Sequence, residues 1–321
     1  MRRLRIGTRG SKLAMWQARR VRELLRQARA GLEADLSIIH TRGDRLPAAV
    51  AAPGPEGGLF TAEIERALLE GRVDLAVHSL KDLPTRVAEG SRLAAFPERA
   101  DAADALVARG GLTLESLPRG ATVLTGSPRR RALLLHSRPD LNVEPVQGNV
   151  ETRLRKLDEL GADALMLACA GLERLGLSDR VAERLDPERF PPACGQGALV
   201  VQARADDEEV LACCAAVDDT ATRLAVTAER AYLAALGGGC RVPVGAFGRF
   251  EGDAQQMALS GMLADPGGTG LLLLTVRGRA ATDVEAAELG RRLAGLMRGQ
   301  GGRRPVVTRP DCPAAGAGGA G

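Results

Sequence analysis

The sequence is poor in aromatic residues and in lysine. Phe, Trp and Tyr together account for 2% of its 321 residues, which argues against the aromatic platforms on which single-stranded nucleic acids stack. Lysine occurs only at positions 12, 81 and 156, so arginine supplies the other 41 of the 44 basic residues. Most of these arginines reflect a general preference of the chain for Arg, Ala and Gly. A minority are candidates for binding carboxylate or phosphate groups, which arginine holds through paired hydrogen bonds.

Neither a metal-binding cysteine pattern nor a long hydrophobic segment is present. The six cysteines include no CxxC pair, and none of the three histidines lies at zinc-ligand spacing from them, which argues against a structural metal site. No apolar run reaches the roughly 18 residues of a membrane-spanning helix, and the terminus MRRLRIGTRG lacks the apolar core of a signal peptide. We therefore expect a soluble protein of a reducing compartment, the cytoplasm.

Short apolar runs alternate with helical periodicity through the first part of the chain, which is typical of α/β layers built on largely parallel sheets. One such unit begins with a strand at 4–7 and a helix capped by Ser11, and continues with strands at 34–41 and 73–78. The helix is expected to bury a face that includes Ala28.

A second unit of the same kind spans residues 121–168, and the strand-like segment 191–202 can lead back to the first. From residue 218 the pattern changes to a long helix, three antiparallel-looking strands and a final helix. We therefore predict an α/β fold of two lobes with a C-terminal α+β domain. The predicted boundaries are a first lobe from 1–97 and 198–216, a second lobe from 98–197, the α+β domain from 218–310 and a disordered tail from 311–321.

The segment HSLKDLP, at 78–84, places a lysine and a carboxylate directly after a predicted buried strand. Open α/β sheets bind ligands at the carboxyl ends of their strands, and Pro84 restricts the turn that follows. Asp82, beside Lys81, is therefore a candidate for acid–base chemistry. A solvated surface turn is the alternative that this segment alone leaves open.

Five arginines lie at predicted strand ends and helix starts: Arg9, Arg129, Arg130, Arg153 and Arg174. Taken singly, each is most simply a solvated surface charge. If two lobes face each other, the five together would line one basic cleft suited to a ligand with several carboxylates.

Cys240 follows three consecutive glycines in the segment LGGGCRVP at 236–243. Glycine allows backbone conformations closed to other residues, so this thiol can lie on a narrow, exposed loop. Two interpretations stay open here: glycines that end a helix before a small apolar cysteine, or a thiol that carries a covalent group. The adjacent Cys213 and Cys214 raise a third hypothesis, a redox protein, but neighbours in a helix point to different faces. We interpret them as core residues.

Eight motifs follow one another in the order and spacing of one enzyme family: IGTRGSKLAMWQA, GGLF, VDLAVHSLKDLP, GNVETRL, AGLERLG, CGQGA, VTAERA and GGGCRVPVG. On these motifs, over about residues 4–300, the chain resembles porphobilinogen deaminase, also called hydroxymethylbilane synthase. The resemblance implies two lobes like those of periplasmic binding proteins and a third domain. It also implies a transferase of tetrapyrrole and haem biosynthesis, which condenses four porphobilinogen molecules with loss of ammonia and then releases linear hydroxymethylbilane by hydrolysis.

The same resemblance implies a role for each matching residue. Cys240 would carry one dipyrromethane cofactor per chain through a thioether, and Asp82 would be catalytic. The cofactor-binding residues would be Ser79, Lys81, Ser127, Arg129 and Arg130, and the substrate-binding residues Arg9, Ser11, Gln147, Arg153, Arg174 and Gln196. Every pyrrole brings an acetate and a propionate for the arginines to bind, while Asp82 would favour the cationic, azafulvene-like species formed as ammonia leaves.

The resemblance also bears on partners. It implies porphobilinogen as the small-molecule substrate, a monomeric enzyme and no resident metal. Free hydroxymethylbilane cyclises spontaneously, so a transient hand-over to a uroporphyrinogen-III synthase is expected. Neither nucleic acid nor a membrane is expected as a partner.

The chain departs from the family pattern at several positions. Gly57 stands where the family usually has Lys and Gln147 where it usually has Arg, while Gly126 and Pro128 replace a hydroxyl residue and an apolar one. Losing one charged hydrogen bond to a carboxylate weakens binding by about 10- to 150-fold. The alternative hypothesis is therefore a catalytically weakened or non-catalytic paralogue that binds pyrroles with several carboxylates.

Overall fold

A computed structural model describes residues 3–45, 60–237, 243–265 and 270–300. Cys240, Gly57 and the predicted tail at 311–321 lie outside these ranges. In chain order, the elements up to the first crossing between lobes are β1 (Leu4–Thr8), α1 (Lys12–Ala28), β2 (Ala34–Ile38), α2 (Arg42–Arg45), α3 (Ala62–Leu69), β3 (Leu75–Ser79) and β4 (Ser91–Ala95). The next set is β5 (Asp104–Ala108), β6 (Thr122–Leu124), α4 (Pro128–Ser137), β7 (Asn142–Glu144), α5 (Val150–Glu159), β8 (Ala164–Ala168), α6 (Cys169–Arg174) and β9 (Glu183–Arg184). The last set is β10 (Leu199–Arg204), α7 (Glu208–Ala215), α8 (Thr220–Ala235), β11 (Val244–Glu251), β12 (Asp253–Leu263), β13 (Leu272–Arg279) and α9 (Asp283–Gln300).

Two five-stranded sheets share one topology. The first has the order β2-β1-β3-β10-β4 and the second the order β7-β6-β8-β5-β9. In each, the first three strands are parallel and the fourth runs antiparallel to both of its neighbours. The predicted pair of α/β lobes is therefore confirmed.

The chain crosses between the lobes twice, through 96–103 and 185–198. Each crossing leads into the antiparallel strand of the lobe it enters: Asp104 pairs with Ala168 at the end of β8, and Leu199 pairs with Ser79 at the end of β3. The two crossings are hydrogen-bonded to each other through Ala100 N and Gly197 O, at 3.3 Å. Both lobes therefore place strand ends, where α/β sheets bind ligands, at the crossings.

The core of the first lobe lies beneath α1, whose Ala18, Val21 and Leu25 are almost completely buried at the three- and four-residue spacing of one helix face. Burying a Val or Leu side chain stabilises the fold by about 1.5–3 kcal/mol. Cys213 and Cys214, on α7, join this core, as the interpretation of them as packing residues requires.

The C-terminal domain is a three-stranded antiparallel sheet, β11-β12-β13, packed against α8 and α9. Tyr232 on α8 is fully buried and donates its hydroxyl to Met262 O at 2.8 Å. This arrangement confirms the predicted α+β domain. Among the described helices, none combines the length and the hydrophobicity that a membrane crossing requires.

Three details of the sequence prediction are wrong. The strand predicted at 34–41 ends at Ile38, because the side chain of Asp44 accepts hydrogen bonds from the backbone N–H and hydroxyl of Thr41 and the chain turns there. Ala28 is exposed instead of buried. The strand predicted at 191–202 begins only at Leu199, since Gly195 and Gly197 adopt φ values of 76° and 84° that no strand tolerates.

Candidate active site

A cavity of about 90 Å3 lies between the lobes, at the carboxyl ends of β3 and β8. Ser79 and Lys81 line it from the first lobe, and Arg130, Arg153 and Arg174 line it from the second. The predicted cleft is therefore present, and it brings five of the candidate residues together.

The HSLKDLP segment enters this cleft as a short turn. Strand β3 ends at Ser79, and Leu80–Asp82 form a single 3-10 turn whose Leu80 is buried and whose next two residues are exposed to the cleft. The Lys81 ammonium donates to Gln196 Oε1 at 3.3 Å. Protein atoms packed around this ammonium lower the pKa of Lys81 to about 8; Arg130 also lowers it, while Asp82 opposes the shift.

Arg129 and Arg130 lie in the first turn of α4, which Ser127 caps by accepting a hydrogen bond from the backbone N–H of Arg130. Both arginines are buried, and both bind the completely buried carboxylate of Asp104. The nearest N–O distances are 2.7 Å for Arg129 and 2.8 Å for Arg130. The expectation that each arginine, taken singly, is a solvated charge is therefore wrong for these two.

Gln196 connects the cluster of Asp104, Arg129 and Arg130 to the first lobe. Its side chain is 1% exposed, and its amide nitrogen donates to Asp104 Oδ1 at 2.8 Å and to Ala102 O at 2.8 Å. Its amide oxygen accepts from Lys81. One buried side chain of the crossing thus contacts charged groups of both lobes.

Arg153 and Arg174 complete the wall of the second lobe. Burial lowers the pKa of Arg153, and the neighbouring charges of Arg130 and Asp82 act on it in opposite directions. Burial likewise lowers the pKa of Arg174 to about 10, against the attraction of Glu173. Arg174 donates to Gly197 O at 2.5 Å. Both guanidinium groups therefore face the cleft in an environment that favours an additional anion.

A second cavity, of about 30 Å3, shares Gln17 and Ser79 with the first. Its lining also includes Arg9, Phe60 and Asp82. The Arg9 guanidinium carbon lies 4.1 Å from the centre of the Phe60 ring, a distance at which a cation is attracted to the aromatic face. Asp82 and a fixed cation thus line the same cavity.

Arg9 is also paired with Asp44, at 2.5 Å between Nη2 and Oδ1. Burial raises the pKa of Asp44, but hydrogen bonds from Arg9 and Thr41 outweigh this effect and hold the pKa below its ordinary value. His78, which also lines the second cavity, is 5% exposed. Burial lowers the pKa of His78 to about 4, partly offset by Gln202, so the imidazole is neutral at physiological pH.

The remaining predicted site residues lie outside the two cavities. Ser11 caps α1 by accepting from Ala14 N at 3.3 Å. The side chain of Gln147 is exposed and lines neither cavity. Cys240 lies outside the described residues, and the description resumes at Pro243. Two positions further on, Gly245 packs against Arg129: a Cβ added to Gly245 would lie 2.8 Å from the Arg129 Cδ.

One departure from the family pattern has a steric explanation. A Cβ placed on Gly126 would lie 2.5 Å from Val146 O, closer than non-bonded atoms approach. A serine at position 126 therefore cannot be accommodated without a shift of the backbone. Pro128 occupies the first position of α4, where proline has no hydrogen bond to lose.

The sequence did not identify three residues that shape the cleft. Asp104 is the first residue of β5 and looks like any polar strand start, since its partners are 25 or more positions away in the chain. Gln17 is 3% exposed and donates to Ser79 Oγ at 2.7 Å. A polar residue on the buried face of α1 was a signal that could have been used. Phe60 gave no such signal.

The donors and charges of this region fit a cofactor rich in carboxylates. The buried Arg129 Nε and Arg174 Nε have no hydrogen-bond partner in the part of the chain that the structure describes. Within the same part, cationic side chains around the cavities outnumber carboxylates: Arg9, Lys81, Arg129, Arg130, Arg153 and Arg174 against Asp44, Asp82 and Asp104. Dipyrromethane carries two acetates and two propionates, which such donors bind well.

Solved structures that match the chain do so at low similarity. The periplasmic VFT2 domain of Bordetella pertussis BvgS aligns with a TM-score of 0.39 and 15% identity, over 67% of this chain and 86% of that one. A Salmonella typhimurium periplasmic binding protein with high arginine specificity aligns with a TM-score of 0.38 and 15% identity, over 68% and 92%.

Sequence comparison gives much closer matches. The family profile "Porphobilinogen deaminase, dipyromethane cofactor binding domain" matches residues 4–212, and "Porphobilinogen deaminase, C-terminal domain" matches residues 223–299. Porphobilinogen deaminase of Roseiflexus sp. (strain RS-1) is 49% identical over 298 residues, which are 93% of this chain and 96% of the relative. That of Oceanobacillus iheyensis is 43% identical over 90% and 94% of the two chains. None of these findings supports the non-catalytic alternative.

Because the matches cover nearly the whole chain and nearly the whole of these relatives, the chain belongs to the porphobilinogen deaminase family, the transferases that join four porphobilinogen molecules into hydroxymethylbilane on a dipyrromethane cofactor.

Proposed function

We propose that Cys240 is the residue that carries the dipyrromethane and that Asp82 is the catalytic carboxylate of the cleft. The main support is the placement of Lys81 and Asp82, at the end of β3, opposite Arg130 and Arg153 of the second lobe. A carboxylate among cations that face each other across one cleft suits a substrate with several carboxylates and a reaction that develops positive charge.

Five residues are proposed to hold the cofactor: Ser79, Lys81, Ser127, Arg129 and Arg130. When bound, the dipyrromethane supplies the pyrrole carbon to which the first substrate is joined. Arg129 supports this assignment, because its Nε has no partner among the described residues and its side chain packs against Gly245, near the described end of the Cys240 segment. The cationic groups would bind the carboxylates of the cofactor through charged hydrogen bonds.

A second set is proposed to bind porphobilinogen: Arg9, Ser11, Gln147, Arg153, Arg174 and Gln196. Arg153 and Arg174 line the larger cavity, and Arg9 lines the smaller one beside Asp82. Gln196 is fully buried and acts from the crossing, by holding Lys81. The assignments of Ser11 and Gln147 rest on the motif match alone.

Asp82 is suited to the chemical step by its position. From the second cavity its carboxylate can accept hydrogen bonds from pyrrole N–H groups and stabilise the positive charge that develops on the substrate as ammonia leaves. It can also take up or return a proton at the reacting carbon. Arg9 is held by Asp44 and Phe60, so it can orient a substrate carboxylate without swinging onto Asp82.

The proposal is tested by replacing Asp82 with Asn. We expect a folded protein that still carries the cofactor mass but turns over about 100- to 10,000-fold more slowly, the contribution typical of a positioned acid–base group. Asp140→Asn is the control, since Asp140 is ion-paired with Arg138 and lines neither cavity. Turnover by Asp82→Asn within a few-fold of the control would refute the catalytic assignment.

We also propose that the enzyme acts as a monomer in the cytoplasm. The four described cysteines are free thiols, as a reducing compartment favours. Because free hydroxymethylbilane cyclises spontaneously, a transient hand-over to a uroporphyrinogen-III synthase is proposed as well. Light scattering of the purified protein tests the monomer: a mass near 33.6 kDa is expected.

A further inference from the structure

Asp104 is a completely buried carboxylate to which the motif comparison assigns no role. Its Oδ1 accepts from Arg130 Nη2 at 2.8 Å and from Gln196 Nε2 at 2.8 Å, and its Oδ2 accepts from Arg129 Nη1 at 2.7 Å. Further bonds from Arg130 Nε, at 3.0 Å, and from Arg129 Nη2, at 3.2 Å, make both arginine contacts two-pronged. One carboxylate therefore fixes three side chains.

The place of Asp104 in the fold excludes direct contact with a ligand in this conformation. Asp104 is the first residue of β5 and pairs with Ala168, which lines the larger cavity. Its own surface is 0% exposed and it lines neither cavity. Any effect of Asp104 on the reaction must therefore pass through the residues that it holds.

Those residues lead to the cleft from two directions. Arg130 lines the larger cavity from the second lobe. Gln196 turns its amide nitrogen to Asp104 and its oxygen to the Lys81 ammonium of the first lobe. Asp104 thus controls the orientation of a guanidinium group on one wall and, through one amide, of an ammonium group on the other.

The charge balance of the cluster is also incomplete. Two guanidinium groups share one carboxylate. The Lys81 ammonium at the other end of Gln196 adds a third positive charge and Asp82 beside it a second negative one, so one positive charge stays in excess. An isolated buried cation is strongly unfavourable, so Asp104 makes the arginine pair tolerable while leaving an excess of positive charge for an anionic ligand. The unpartnered Arg129 Nε is consistent with a further acceptor being supplied by a ligand.

We propose that Asp104 is a positioning residue, which holds Arg129 and Arg130 ready to bind carboxylates of the dipyrromethane and the growing pyrrole chain, and holds Gln196 against Lys81. This inference rests on the proposed roles of these residues in the cleft. It differs from a purely structural role in one respect: removing the charge of Asp104 must change ligand binding and the titration of Lys81 beyond what a loss of stability explains.

The titration gives a specific signature. The groups that act on the Lys81 ammonium come from three elements: Asp82 on its own turn, Arg129 and Arg130 on α4, and Asp104 on β5. Arg153 and Arg174 line the same cavity. Among these, Asp104 raises the pKa of Lys81, so its neutralisation is expected to lower that pKa and to move the alkaline limb of the pH–activity profile to lower pH.

The test compares Asp104→Asn with Asp74→Asn in the full-length enzyme as purified. Asp74 is 2% exposed and bound to Arg5 at 3.0 Å, but it precedes β3, at the end of that strand opposite to the cleft. Both variants lose a buried, arginine-paired carboxylate. Cofactor occupancy is measured by intact mass, and KM, kcat and their pH dependence are measured with porphobilinogen.

For Asp104→Asn we expect a reduced fraction of cofactor-loaded protein, a KM raised by about tenfold or more in the loaded fraction, and an alkaline limb at lower pH. Asp74→Asn is expected to match the wild type in all three. Equal occupancy, KM and pH profile in wild type and Asp104→Asn would overturn the inference, as would the same changes in both variants. A wild type without cofactor mass would instead contradict the proposed function.

If Asp104→Asn does not accumulate as folded protein, the double variant Asp104→Asn/Arg129→Gln, which removes one charge of each sign, is compared with Arg129→Gln alone. Asp104 still holds Arg130 and Gln196 in Arg129→Gln, so adding Asp104→Asn is then expected to raise KM further and to move the alkaline limb to lower pH. An unchanged KM and pH profile, or failure of the double variant to fold while Arg129→Gln folds, would overturn the inference in favour of a structural role.

Discussion

At the residue scale, Lys81 links the chemistry of the cleft to pH. Its pKa of about 8 means that the ammonium is present at neutral pH and is lost as the pH rises through 8. Because Lys81 is proposed to hold the cofactor to which porphobilinogen is joined, we expect KM for porphobilinogen to rise by about tenfold as this ammonium is lost. Lys81→Arg, which stays cationic, should keep KM nearly constant, and steady-state kinetics on both sides of pH 8 measure the difference.

Deprotonation of Lys81 should weaken substrate binding but increase the stability of the fold. The folded state disfavours the Lys81 ammonium relative to its ordinary pKa of 10.5, so this penalty is present below pH 8 and disappears as the pH rises towards 10.5. Between pH 8 and pH 10.5, the free energy of unfolding of the wild type should thus increase relative to that of Lys81→Met. No such gain, together with a pH-independent KM, would show that Lys81 titrates as an ordinary lysine.

Residue types in the cleft could be predicted from the sequence, but their pairing could not. The motif order pointed to Lys81, Arg130, Arg153 and Arg174, and all four line the cavity. The partner of Arg130, however, is Asp104, and no local pattern separates this carboxylate from other polar strand starts. Such pairing follows only from the antiparallel insertion of β5 beside β8.

At the scale of elements, Gly126 shows how a strand and a helix cap constrain each other. A Cβ on Gly126 would meet Val146 O at 2.5 Å, so we expect Gly126→Ser to cost about 1–3 kcal/mol of unfolding free energy. In proteins of about 150–250 residues each kcal/mol lowers Tm by roughly 2–4 °C, and this longer chain should lie near the lower end of that range. Calorimetry measures the change.

Gly295→Ser is the matched control, because Gly295 lies on the exposed face of α9 with nothing within 4 Å of an added Cβ. Serine is a better helix former than glycine, so this variant should keep or slightly raise Tm. A Gly126→Ser protein as stable as Gly295→Ser would mean that the loop before α4 adapts freely, and that steric exclusion does not explain this departure from the family.

Elements were predicted best where a local signal exists. Ser127 and Pro128 marked the start of α4, and the alternation of apolar runs marked both lobes. The strand predicted at 191–202 begins later, at Leu199, because Gly195 packs against Leu80 and Gly197 against Ala100 with positive φ values, and these contacts come from distant parts of the chain. The exact domain boundaries stay a prediction.

At the scale of the whole molecule, the buried carboxylate of Glu229 joins the C-terminal domain to both crossings between the lobes. Glu229 on α8 is 0% exposed and accepts from Arg99 Nη1 at 2.6 Å, from Gly195 N at 2.7 Å and from Gly248 N at 2.9 Å. Arg99 in turn donates to Gln196 O at 2.8 Å. One hydrogen-bond network therefore joins residues of both crossings to residues of α8 and β11.

Breaking this network should loosen the domains. Glu229→Gln leaves the nearly buried Arg99 without its counter-charge, which typically costs about 3–5 kcal/mol, and we expect a markedly lower Tm with separate unfolding transitions for the lobes and the C-terminal domain. Glu288→Gln, which removes an exposed ion pair with Arg291, should change stability by less than about 0.5 kcal/mol. A single, unshifted transition in Glu229→Gln would contradict this role.

We propose that this chain attaches a dipyrromethane to Cys240 and elongates it in the cleft. The most direct measurement is the intact mass of the purified protein, alone and after brief exposure to porphobilinogen, for the wild type and Cys240→Ser. We expect a wild-type mass above that of the bare chain by two porphobilinogens less two ammonias, further single-ring increments with substrate, and neither in Cys240→Ser. A wild type that stays at the mass of the bare chain in both samples would contradict it.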